Sequence, residues 1–155
     1  MERIVDGALA ILTAEGVEAL TMKRLADALG YAPGAFYRYF ASKEALLLAV
    51  QRRVLEALAA DLRAADAAAR ERLAEAPAAE AVLTRIVAAA RVYGSLAERR
   101  PAHGRLLGRW LGDPSPLVRD EAAAPVVPEL FALFAPVPGL FAEAVEVGAL
   151  APGAA

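Results

Sequence analysis

Apolar residues return every three to four positions through most of this 155-residue chain, the spacing that lines one face of an α-helix. Ile4, Val5, Ala8, Leu9, Ile11 and Leu12 predict a first helix over residues 2–15 with a broad apolar face, ended by Gly16. Val17 and Leu20 are expected to pack the following loop onto that helix, whose role is scaffold. Thr21 is suited to N-cap the next helix, because its hydroxyl can accept from a free backbone N–H of the first turn. Leu25, Ala26 and Leu29 form the apolar stripe of about two turns, and Gly30 supplies the left-handed backbone a helix end requires. Pro33 fits the first turn of a new helix, where its missing N–H leaves nothing unpaired. A short helix is therefore expected over 32–39, and in the run GAFYRYF at 34–40 Phe36 and Phe40 face inward with Tyr37 and Arg38 on another face.

Ser42 is placed to cap a long alanine-rich helix running to about Ala76, with Leu46, Leu47, Ala49, Val50, Val54, Leu58 and Leu62 mostly at three- and four-residue intervals. Its second half is poor in large apolar residues and is expected to be exposed, with Asp61 and Asp66 as solvated surface charge; Pro77 stops it. A further helix over 78 to about 99 is expected to bury Val82, Leu83, Ile86, Val87, Ala90, Tyr93 and Leu96, and a shorter one runs from Pro101 through Leu111. DPSP at 113–116 is turn chemistry, and helical pieces follow near 117–123, 126–135 and 138–150, parted by prolines. No segment alternates as a strand does, and no fixed period repeats. The expected fold is all-α: an N-terminal three-helix helix-turn-helix domain over 1–45, then a helical body over 46–155.

Composition narrows the class. Hydrophobic residues make up 58% and mean hydropathy is +0.40, much of it alanine, yet charges interrupt every apolar run before it reaches the roughly 20 residues that span a bilayer. The absence of cysteine removes disulfide and thiolate chemistry and fits a cytoplasmic location. Net charge is −2, but it is unevenly spread: residues 20–53 carry six basic against two acidic residues, while 54–155 carry ten arginines against thirteen acids. One histidine and no nucleophile–base spacing leave no catalytic constellation, and no metal-ligand cluster or phosphate-cradling glycine loop is present. The reading is not an enzyme, with no cofactor.

A helix, a glycine-containing turn and a short second helix form the outline of a module whose second helix enters the DNA major groove. The residues Ile4, Ala8, Gly16, Thr21, Ala26, Gly30, Gly34, Phe36, Tyr37, Tyr39, Phe40, Ser42, Lys43, Glu44 and Leu46, and above all the run FYRYFASKEAL, make the first third of the chain similar to the N-terminal domain of the TetR family of bacterial transcriptional regulators. The resemblance implies a dimeric, ligand-responsive repressor on a palindromic operator, with a C-terminal body for effector binding and dimerisation. A helical dimeric protein-interaction module that has lost DNA binding is the alternative, favoured by the weak basic balance. Relatives usually carry a basic arm where only Met1 to Arg3 stand, their body is longer, and many have a capping serine where Ala32 stands.

Pro33, Gly34 and Ala35 are small enough to approach bases, and the Ala35 methyl suits a thymine methyl. Arg38 suits guanine or a phosphate, and the resemblance makes Tyr37 the groove-facing tyrosine and Thr21 and Lys43 phosphate contacts at helix starts. Lys23 and Tyr31 complete the expected DNA-binding set. For the effector, Tyr93, His103, Trp110, Phe131 and Phe134, with Arg91, are the candidate lining. Pro116 to Val127 and Leu140 to Val147 are the candidate homodimer interface, being richer in bulk apolar residues than a small body can bury alone.

Overall fold

The computed structural model describes residues 1–112 and 127–153, and every regular element among them is helical. In chain order these are α1 (Glu2–Glu15), α2 (Met22–Leu29), a 3₁₀ helix (Pro33–Arg38), α3 (Lys43–Arg72), α4 (Ala78–Gly94), α5 (Leu96–Arg99), α6 (Pro101–Gly112), α7 (Val127–Phe134) and α8 (Pro136–Glu146). Expectations for DPSP, for the piece at 117–123 and for the interface segment before Val127 lie outside the described residues, as do the side chains of Pro33, Trp110 and Phe131. The helices fall into two compact units, one of residues 1–54 with 97–127, the other of residues 55–96 with 128–155.

The first unit is built on a continuous apolar core. The predicted stripe of α1 is buried as read, and Leu20, Leu25, Ala26, Phe36, Phe40, Leu46 and Val50 close around it. Leu106 and Ala102 of α6 pack on this same core, so the head is completed by a helix from much later in the chain. Local chemistry fixes each turn. The Thr21 hydroxyl accepts from the Arg24 N–H at 3.0 Å, and the Ser42 hydroxyl accepts from the Ala45 N–H at 3.1 Å. Gly30 sits at φ 71°, ψ 32°, and α2 ends as a Schellman motif: the Tyr31 N–H donates to Ala26 O and the Gly30 N–H to Asp27 O.

The second unit packs α4 against α8. Val82, Leu140 and Ala144 are its buried centre, with Ile86, Ala149 and Leu150 against them. Leu140 and Ala144, expected at a dimer interface, are thus enclosed within their own unit, while Val147 stays exposed. Three expectations need correction. The long helix ends at Arg72 rather than about Ala76. The helix over 78–99 breaks at Ser95, whose hydroxyl donates to Arg91 O at 2.6 Å and whose N–H donates to the same carbonyl; α5 then restarts the chain. The stripe of α4 is also rotated from the one predicted: Leu83 and Val87 are 38% and 48% exposed, and Arg85 is buried at 8%.

Candidate nucleic-acid interface and ligand cavity

The segment between α2 and α3 is where sequence reading and structure meet most closely. Pro33–Arg38 is a 3₁₀ helix rather than the expected α-helix, with three residues per turn and poorer hydrogen-bond geometry. Ala32 at its start offers no side-chain cap. Side-chain burial offsets this: Phe36 is fully buried and Phe40 nearly so, each worth roughly 1.5–3 kcal/mol of apolar transfer. The Phe36 carbonyl accepts from both the Tyr39 and Phe40 N–H groups, at 2.8 and 2.9 Å, which closes the turn into α3.

With the phenylalanines held inside, the residues between and beside them point out. Tyr37 is 59% exposed and Tyr39 52%. Arg38 is exposed and has no partner among the described residues, and the same is true of Lys23. Gly34 is open and Ala35 half-buried. Thr21 is exposed at the start of α2, its hydroxyl already engaged as the cap. Lys43, half-buried in the first turn of α3, donates to Val17 O at 3.0 Å and so braces the loop before α2, with two ammonium N–H groups still to use. Tyr31 is 42% exposed, its ring 5.5 Å from Phe36 and under the guanidinium of Arg3 at 5.8 Å. That contact brings a cation from the start of α1 to this surface, a residue absent from the expected set. Arg24 is instead spent on Glu15 at 2.7 Å.

The candidate ligand residues divide. Tyr93 and Phe134 stack with ring centroids 5.5 Å apart, and the Tyr93 hydroxyl donates to Leu133 O at 3.3 Å; burial pushes its phenol pKa up. His103 lies on α6 in the first unit, and Arg91 is exposed. The second unit carries an open-mouthed cavity of about 470 Å³, lined from α3, α4, α7 and α8 and including Tyr93. Its polar wall is a cluster that sequence reading missed. Arg85 Nε donates to Asp66 Oδ1 at 2.7 Å, Arg85 Nη1 to both oxygens of Glu143 at 2.9 and 2.8 Å, and Arg70 Nε to Asp66 Oδ2 at 2.7 Å. Asp66 is thus a paired wall residue and not free surface charge. Burial works against its charge, but hydrogen bonds from Arg70 and Arg85 and their fields outweigh that and hold its pKa below the ordinary carboxylate value. Burial likewise opposes the Arg85 cation, and Asp66 and Glu143 raise its pKa above the usual guanidinium value.

Among the described residues no helix is long and apolar enough to cross a membrane. The family model of bacterial regulatory proteins of the tetR family matches residues 4–50. The chain is 41% identical over 66 residues to the HTH-type transcriptional regulator BetI of Rhizobium meliloti (strain 1021), a stretch covering 43% of this chain and 32% of that protein. The match spans about a third of the length of that curated relative. Among solved structures, the TetR family transcriptional regulator PfmR from Thermus thermophilus superposes with a TM-score of 0.67 at 25% identity, over 96% of this chain and 74% of that one. The sequence of the family's N-terminal domain is therefore matched over residues 4–50, and the helical fold of a TetR family regulator extends through nearly all of the chain.

Proposed function

We propose that the chain is a DNA-binding regulator whose 3₁₀ helix enters the major groove, and that it works as a dimeric, ligand-responsive repressor of a palindromic operator. The observation that carries the reading is the division of labour in AFYRYF: Phe36 and Phe40 anchor the segment while Tyr37, Arg38 and Tyr39 are presented outward. Gly34 and Ala35 bring the backbone close to the bases, and Tyr37 and Arg38 reach base edges or phosphates. Lys23, Thr21, Lys43 and Tyr31 flank this as phosphate contacts, Lys43 through the N–H groups that Val17 leaves over. Two such heads are needed because each reads only a few base pairs, and a twofold dimer places them on two half-sites. The body over 46–155 supplies the dimer contact and the effector site, and Tyr93 of the second-unit cavity is the ligand residue the geometry supports best.

The test is a fluorescence anisotropy titration of the full chain against the promoter DNA beside its own gene at several salt concentrations. Binding should be specific for that DNA and should weaken linearly in log–log form as salt rises, since phosphate contacts release counterions. A folded protein with no salt-sensitive retention of that DNA would overturn the reading.

A further inference from the structure

We infer that the second-unit cavity takes an amphipathic carboxylate, its acid head against Arg85 and Arg63 and its apolar body along the rest of the wall. The inference rests on reading this unit as a ligand-binding body, and it follows from which hydrogen-bonding groups of the wall are already used. Both oxygens of Asp66 are occupied, one by Arg85 and one by Arg70. Both oxygens of Glu143 accept from Arg85 Nη1. Every carboxylate oxygen of the wall is thus already paired with one of the protein's own cations.

The donors are not. A guanidinium carries five N–H groups, and Arg85 spends only Nε and Nη1; its Nη2 has no acceptor among the described residues. Arg63, also in the wall, has none either. Three arginines face two carboxylates across the lining, so one positive charge is left over. A cationic ligand meets that surplus and finds its natural partners taken, whereas an anion finds vacant N–H groups on a buried cation, where charge-assisted bonds are strong. The remaining wall is aliphatic, with Ala59, Leu62, Ala89, Leu133, Val137 and Leu140. A purely polar anion would strip water from that surface without replacing it, and an apolar acid covers it. The volume of about 470 Å³ is within the range of small-molecule sites.

Isothermal titration of octanoate, octylamine and octanol into the full chain, with no DNA present, separates the classes because the three differ only in head group. Octanoate should bind at least tenfold tighter than octanol, and octylamine weakest. Arg63→Ala, which alters an exposed side chain, and Arg85→Gln should each lower octanoate affinity at least threefold and leave octanol unchanged. If Arg85→Gln loses its cooperative melt, the comparison of head groups and Arg63→Ala decide the matter without it. Equal binding of the three, tighter binding of octylamine, or octanoate binding indifferent to Arg63 overturns the acid assignment while leaving the cavity a ligand site. No binding by any of them overturns the ligand-binding reading as well.

Discussion

Tyr37 sits beside a phenylalanine with which it shares a ring and almost nothing else. Phe36 is fully buried and Tyr37 is 59% exposed, so Tyr37→Ala removes no core packing. It should lower operator affinity by about 1–3 kcal/mol, as loss of a base-edge contact does, while the melting curve by circular dichroism stays in place. That contrast was legible in the sequence, because Phe36 and Phe40 stand four apart and the intervening residues must face elsewhere. The bond from Lys43 to Val17 was not, since it spans 26 residues, nor was the placement of Arg3 over Tyr31. Local spacing carries no information about such partners. Gln51 makes the opposite point from inside the core: it is 8% exposed, and its Oε1 has no hydrogen-bond partner among the described residues. An unpaired buried acceptor costs about 1–3 kcal/mol, and methionine has similar volume. Gln51→Met should therefore raise stability by about 1 kcal/mol in urea unfolding.

At the scale of elements, the helices were readable and their rotation was not always so. In α1 large aliphatic residues mark one face without ambiguity, whereas α4 (AAEAVLTRIVAAARVYG) is so rich in alanine that several faces look apolar. The structure turns Leu83 and Val87 outward and buries Arg85 instead, because Asp66 and Glu143 neutralise it from α3 and α8. A carboxylate 58 residues away cannot be read from spacing. Asp66→Asn should cost on the order of 1 kcal/mol at neutral pH, since solvent screens a side chain that is 37% exposed. The sign of its pH dependence follows from the lowered folded-state pKa. The contribution is complete above the ordinary value of 3.8 and is lost as pH falls through the lower folded value. Urea midpoints of the two proteins should therefore converge as pH drops from 5 toward 2, and a constant gap would refute the pairing. Packing between α5 and α6 yields a second test at this scale. A Cβ on Gly104 would lie 2.7 Å from the Ala97 Cα, whereas one on Gly108 meets nothing within 4 Å. Alanine gains up to about 1 kcal/mol over glycine in a helix, and overpacking costs typically 1–3. Gly104→Ala should thus lower the melting temperature and Gly108→Ala raise it slightly.

At the scale of the whole molecule, the proposals meet in α3. It runs unbroken for 30 residues from Lys43 to Arg72, roughly 45 Å at 1.5 Å per residue. The same helix begins at the Ser42 cap beside the exposed tyrosines and later carries Asp66, which is tied through Arg85 to Glu143. An acid bound at the free Nη2 of Arg85 adds a third carboxylate to a guanidinium already shared by Asp66 and Glu143, so it acts on a helix that also enters the proposed DNA-reading head. If that is the route of regulation, octanoate must weaken operator binding, and thermodynamics then fixes a second number. Whatever factor octanoate takes from operator affinity, operator must take from octanoate affinity, because the four binding steps close a cycle. Coupling of this kind is typically about 5–150-fold. Anisotropy with and without saturating octanoate measures one side of the cycle, and calorimetry with and without operator the other. Equal factors in the wild type, both falling toward one in Asp66→Asn, would place the coupling in the Asp66–Arg85–Glu143 clasp. A wild-type factor that survives Asp66→Asn unchanged would show that ligand and DNA communicate by some other path through the body.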